Sequence, residues 1–200
     1  MIVRSRRWWW VACGLWLGTM AAAQAQPSTW YAERPGPYVL LAGGGGQYDY
    51  DCGRSGYYYS SYYDSCASAG SSAGKAALGF RFGRFGVEGV WTDFGRARIN
   101  GAARDSLRMQ SLGINAVFSL PFGPASEGLL RVGLADVRHS RSDDLGGAEH
   151  VFNASAGVAM LLHLGPTVAL EVGLDGTFAQ GVYTGTASAN AFTVGLRLSF

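Results

Sequence analysis

The sequence predicts an all-β protein, an eight-stranded antiparallel up-and-down transmembrane β-barrel. Three observations carry that prediction. Apolar residues recur at every second position over stretches of about ten residues, whereas strands of soluble sheets average nearer five or six. Beyond the first 25 residues, no segment keeps a helical 3.6 period with caps. The connections between stretches alternate short and long, the pattern of a barrel with tight turns at one end and loops at the other. Composition agrees: 30 Gly, 10 Tyr, 10 Phe and 6 Trp stand beside only 15% charged residues, too little charge for a surface that faces water all round.

The first element is a targeting segment. Arg4, Arg6 and Arg7 precede an apolar run from Trp8 to Ala23, and Ala23-Gln24-Ala25 supplies a small-x-small cleavage site. Residues 1–25 are read as a removed signal peptide, 26–36 as a short periplasmic N-terminal segment, and 37–200 as the barrel. The run is shorter than the roughly 20 residues of a membrane-spanning helix. Ser5-Arg6-Arg7 is similar to a twin-arginine start, but that route carries folded cargo and a barrel must cross unfolded. Cys13 sits too early in the run, behind Trp10-Val11-Ala12, to mark a lipoprotein. Removing three arginines leaves 13 basic against 14 acidic residues, so the mature chain is near neutral and offers no electrostatic case for a nucleic-acid partner.

The strands follow in order. The first, about Tyr38 to Tyr48, is the least clear, because Gly43 to Gly46 erase the alternation. The second turns Ala76, Leu78, Phe80 and Phe82 outward with Ala77, Gly79 and Arg81 inward. The third turns out Phe85, Val87, Gly89 and Trp91 against Glu88 and Thr92. The fourth runs to Leu120 through Leu112, Ile114, Ala116 and Phe118, and the fifth answers with Leu130, Val132 and Leu134 opposite Arg131, Gly133 and Ala135. In the sixth, Phe152, Ala154, Ala156, Val158, Met160 and Leu162 face Asn153, Ser155, Gly157 and Ala159 across the sheet plane. Val168, Leu170, Val172 and Leu174 alternate with Ala169, Glu171, Gly173 and Asp175 in the seventh, and Phe192, Val194, Leu196, Leu198 and Phe200 with Thr193, Gly195, Arg197 and Ser199 in the eighth.

Gly83-Arg84, Pro121 to Glu127 and Leu164-Gly165-Pro166 make the short turns. The long links, about 49–74, 95–105, 139–149 and 179–189, are rich in Gly, Ser, Asp and Arg and belong at the cell surface. Asp93, Arg108, Gln110 and Asp136 break the pattern, being polar on outward parity. Either they stand above the lipid band or the strands bulge there; their places near outer ends favour the first.

Glu88-Gly89-Val90-Trp91-Thr92-Asp93-Phe94-Gly95 resembles the third-strand signature of the OmpA-like and OmpX/Ail-like small outer-membrane barrels, with Trp91 where Tyr is commoner. The ending Leu196-Arg197-Leu198-Ser199-Phe200 resembles the signal such families present to the barrel-assembly machinery, with Phe200 as its terminal aromatic. The resemblance covers roughly residues 37–200 and implies a Gram-negative outer-membrane protein. The sequence stops at the barrel, without the peptidoglycan-binding domain of full OmpA proteins, so a cell-wall tether is not implied.

Eight strands enclose a lumen narrow enough for side chains to fill. Arg81, Glu88, Arg131, Glu171, Asp175 and Arg197 fall on inward parity, three charges of each sign, and hydrogen-bonded ion pairs are expected to plug the barrel and fix its register. The alternative is a narrow ion or solute channel. A lipid A-modifying enzyme is a third reading, since some small barrels resemble acyl-chain enzymes using His, Ser and an acid. None of His139, His150 and His163 lies in a His-x-Ser pattern, so no catalytic residue is assigned and no metal or cofactor is expected.

Cys52 and Cys66 form an even pair in a chain that crosses an oxidising compartment, and one disulfide is favoured over two free thiols or half a metal site, because no His-rich cluster accompanies them. Between them stand Tyr57, Tyr58, Tyr59, Tyr62 and Tyr63 among Ser and Gly. Such composition suits a binding loop for a host, phage or glycan ligand, since tyrosine offers large contact area at small entropic cost. The plainer alternative is an aromatic girdle plus a low-complexity surface loop. Outer-membrane lipid and lipopolysaccharide are the surrounding partners.

Overall fold

The computed structural model describes residues 35–50, 69–98, 106–141, 148–181 and 185–200. Residues 1–25, most of the N-terminal segment, Cys52, Cys66 and the tyrosines Tyr57 to Tyr63 lie outside them.

Eight strands, β1 (Gly36–Tyr50), β2 (Ala69–Phe82), β3 (Phe85–Arg98), β4 (Ser106–Gly123), β5 (Ser126–Arg141), β6 (Ala148–His163), β7 (Val168–Gly181) and β8 (Gly185–Ser199), pair each with the next and β8 with β1, all antiparallel. The predicted barrel is the observed one. Its strands are longer than the lipid-facing alternation alone suggests: β2 begins at Ala69 and β6 at Ala148, inside stretches expected as loops. Beyond the lipid the ladder continues with water on its outer face, so the polar composition that signals a loop marks the strand's wet outer half.

Stagger fixes the shape. Following direct partners from Tyr38 through Gly79, Glu88, Asn115, Gly133, Ser155, Thr177 and Ala189 returns to β1 at Tyr48, ten residues beyond the start. With ordinary strand spacing and rise, that offset tilts the strands by about 42° and sets a backbone radius of about 8 Å. Inside such a tube there is room for side chains and little else.

Alternation then sorts every residue. Leu41, Leu78, Val87, Leu112, Ile114, Val132, Leu134, Val194 and Leu196 stand outside and exposed, forming the belt, and Phe82, Phe85, Phe122 and Phe200 ring its short-turn end. Phe80 packs on Phe82 with ring centroids 4.7 Å apart, and Phe85 on Phe118 at 5.1 Å. Most inward positions are buried, charged ones included.

Two glycines act by conformation. Gly83, at φ 69°, opens the two-residue turn between β2 and β3, where the first central position needs a positive φ. Gly95, at φ 85°, sits in a β-bulge where the β3–β4 register shifts between Asp93 and Arg96. The sequence favours raised polar residues over a bulge at this place; the bulge is present. Its cause is local, since Gly95 N–H donates to Asp93 Oδ1 at 2.9 Å.

Val132→Arg, in the middle of the belt, is expected to destabilise the barrel by about 2–4 kcal/mol, read from denaturant midpoints in lipid vesicles. Wild-type stability in that variant would contradict the lipid-facing assignment.

Candidate functional site: the charged lumen

Cross-strand rows bring the luminal charges together from strands far apart in sequence. Nearest the short turns, Arg81 on β2 donates through Nη2 to Glu127 Oε2 at 2.6 Å and to Ser119 Oγ at 2.7 Å, and through Nε to the Gly83 carbonyl at 2.6 Å. Ser119 in turn donates to the same Glu127 carboxylate, and His163 Nε2 lies 2.6 Å from Glu127 Oε1. The sequence places Glu127 in a turn. Instead β4 continues past Pro121 to Gly123 and β5 starts at Ser126, which turns the carboxylate into the barrel.

Above this cluster, the Arg197 guanidinium lies 3.4 Å from the centroid of the Tyr38 ring, and Val117, Leu129, Leu161 and Ala169 pack beside them. The next layer is centred on Arg131, which is fully buried. Its Nε is 2.8 Å from Glu88 Oε1 and its Nη2 donates to Glu171 Oε1 at 2.7 Å, so one guanidinium on β5 joins carboxylates on β3 and β7. Further outward, Lys75 donates to Asp175 Oδ2 at 2.6 Å and stands 3.9 Å from Glu171. An apolar layer follows, with Phe94, Met109, Val137 and Ala189 buried inside the wall.

Glycines make the gaps across which these side chains reach. Tyr38 on β1 donates to Glu88 Oε2 on β3 at 2.9 Å by lying over Gly79, where a Cβ would fall inside its ring. Ser155 on β6 reaches across Gly133 to donate to Asn115 Oδ1 at 2.8 Å, and Asn115 Nδ2 donates to Glu88 Oε1 at 3.3 Å.

All six luminal residues singled out in the sequence, Arg81, Glu88, Arg131, Glu171, Asp175 and Arg197, thus line the interior, and five of them, Glu88, Arg131, Glu171, Asp175 and Arg197, share one cluster. Sequence reasoning missed Lys75, Glu127, Tyr38, Asn115 and Ser119. Lys75 was legible in principle, since it continues the parity of Ala77 and Arg81. With Lys75 and Glu127 included, four cations face four carboxylates among the described residues. Two of the histidines take carboxylate partners: His163 as above, and His150 Nδ1 at 3.0 Å from Asp136 on the outer wall. Phe200 is exposed at the short-turn rim, its N–H donating to the Pro37 carbonyl at 3.0 Å. No group of three or more His, Cys, Asp or Glu suited to a metal occurs among the described residues.

A closed ladder with its greasy side outside and its charges inside belongs in a bilayer whose core it spans, with both ends in water. The protein is an outer-membrane β-barrel of the eight-stranded class. Among solved structures it is similar to Neisserial surface protein A, at 18% identity over 82% of this chain and 97% of that one, with a TM-score of 0.62. It is also similar to the outer membrane protein OprG of Pseudomonas aeruginosa, at 9% identity, 85% and 99% coverage and a TM-score of 0.53. The attachment invasion locus protein Ail of Yersinia pestis matches at 12% identity, 82% and 100% coverage and a TM-score of 0.50. These likenesses are of fold. No family model matches the chain, and no curated protein matches it in sequence.

Arg131→Met is expected to cost about 3–5 kcal/mol, because Glu88 and Glu171 stay buried and lose the cation closest to both. Adding Glu171→Gln should restore part of that loss, and a double-mutant cycle on chemical denaturation reads the coupling. Additive effects would contradict a shared network.

Proposed function

We propose that the protein is a surface-presenting barrel whose lumen is plugged by its own ion pairs, and that its role is structural or adhesive rather than catalytic. The observation that carries this reading is the matched set of luminal charges described above. A cavity of about 100 Å³ at the short-turn mouth is bordered by His163, Arg81, Tyr38 and Arg197, and one of about 10 Å³, room for a single water, is lined by Tyr38, Arg81, Val117 and Arg197. An eight-stranded tube offers no wider route.

Chemistry in the lumen is disfavoured by its hydrogen bonds. The Ser119 hydroxyl donates its hydrogen bond to Glu127, a carboxylate already clamped by Arg81 and His163, so no imidazole is poised on the serine as a base. The working parts are then the outer loops. The Cys52–Cys66 disulfide would preorganise the segment carrying Tyr57, Tyr58, Tyr59, Tyr62 and Tyr63 for a host, phage or glycan ligand. Phe200 would present the chain to the barrel-assembly machinery, and lipopolysaccharide would surround the finished barrel.

A narrow ion path is the second reading. Arg197 Nη1 and Glu171 Oε2 stand 3.9 Å apart, too far for a hydrogen bond, and with Arg197 Nε they are buried without hydrogen-bond partners among the described residues, which leaves polar atoms for water to bridge.

In planar bilayers the purified protein is expected to give no steady conductance, and lipid A from cells with and without it should have identical mass spectra. Sustained unit conductance would establish the channel instead, and an altered acyl pattern the enzyme. On intact cells, an impermeant tyrosine reagent should label the Tyr57–Tyr63 segment; protection of that segment in whole cells and labelling in lysates would overturn its surface placement.

A further inference from the structure

The outward polar residues that interrupt the belt near its outer edge are not scattered. Asp93, Gln110, Arg138 and His150 form one cross-strand row over β3 to β6, with Arg96 paired to Arg108 in the next row out. Directly beneath lie Trp91, Leu112 and Phe152, all exposed, together with Asp136. The row therefore stands on the outer wall where hydrocarbon gives way to headgroups.

The carboxylate in this row and the one beneath it are both occupied. Asp93 accepts from Arg108, from Gln110 Nε2 at 3.3 Å and from the Gly95 amide, and Asp136 faces His150. Arg96 and Arg138 are exposed, and no carboxylate pairs with either among the described residues. Two guanidinium groups are thus left over, on either side of the Arg108 strand.

The bulge is the second, independent observation. On β3 the even-numbered residues Gly86, Glu88, Val90, Thr92 and Phe94 face the lumen, so an unbroken strand would turn Arg96 inward. The extra residue at Gly95 reverses the phase and places Arg96 outside, opposite Arg108. The fold thereby sets a third guanidinium on a lipid-facing wall.

We infer that Arg96, Arg108 and Arg138 form a binding site for the phosphate groups of a lipid A molecule in the outer leaflet. A molecule at this height against the wall has its acyl chains on the belt and its headgroup at the row, and planar guanidinium groups match phosphate oxygens two at a time. The outer leaflet presents phosphorylated lipid A here, so position and charge select the same partner. The inference rests on the long-link end facing the cell exterior, as proposed above.

The test uses protein extracted from membranes in detergent, stripped of lipopolysaccharide and titrated with diphosphoryl lipid A in mixed micelles, bound lipid being counted by native mass spectrometry. The R96Q/R138Q double variant should bind lipid A about tenfold more weakly than wild type, whereas R84Q, at the opposite end, should bind as wild type does. Fully dephosphorylated lipid A should bind wild type and double variant equally. Equal affinity of wild type and double variant for diphosphoryl lipid A overturns the inference, as does equal competition by phosphatidylglycerol. Heat-modifiable gel mobility should be the same in all three proteins; its absence from wild type would overturn the membrane-barrel reading itself.

Discussion

Hydrocarbon offers no partner to a backbone amide, and the architecture follows from that shortage. Each unpaired N–H or C=O in the bilayer core costs several kcal/mol, so strands can cross only as a ring without edges. Once the ring closes, the pleat leaves two environments and nothing between them. Apolar residues at alternate positions meet lipid, and whatever occupies the other positions shares a tube about 8 Å in backbone radius. Charges that would be ruinous on the outer wall become tolerable inside because the ten-residue stagger brings cations and carboxylates together within each layer.

Arg131 shows how that stacking works. Its two carboxylate partners come from β3 and β7, each two strands away, so the cluster spans the interior instead of running along one ladder. Such an arrangement rewards one register only. Lys75 and Asp175, from β2 and β7, add a second tie across the bore, and Arg81 with Glu127 a third nearer the turns.

Much of this is legible in the amino-acid order alone. Period-two alternation marks eight strands, their order and the inward parity of Arg81, Glu88, Arg131, Glu171, Asp175 and Arg197. The third-strand stretch from Glu88 to Gly95 also points to small outer-membrane barrels, to which the fold is similar. Partner choice is hidden, because it depends on stagger, a property of the closed ring that no single strand carries. Glu127 is hidden by Pro121, Gly123 and Pro124, which read as a long turn although the ladder runs on through Pro121 to its pair with Glu127. The role of Tyr38 is hidden by the glycine run beside it: a phenol can reach β3 only if Gly79 leaves the way clear, and an alternation count gives glycine no weight.

That phenol has a consequence for how the ring is sealed. The seam between the first and last strands contains Gly43 to Gly46, a stretch with no side chains to distinguish one alignment from another two residues along. A slip of that size would preserve inside and outside and most of the ladder. It would also carry Arg197 on β8 off the face of the Tyr38 ring on β1, so a single aromatic ring serves as the gauge by which the last joint is measured.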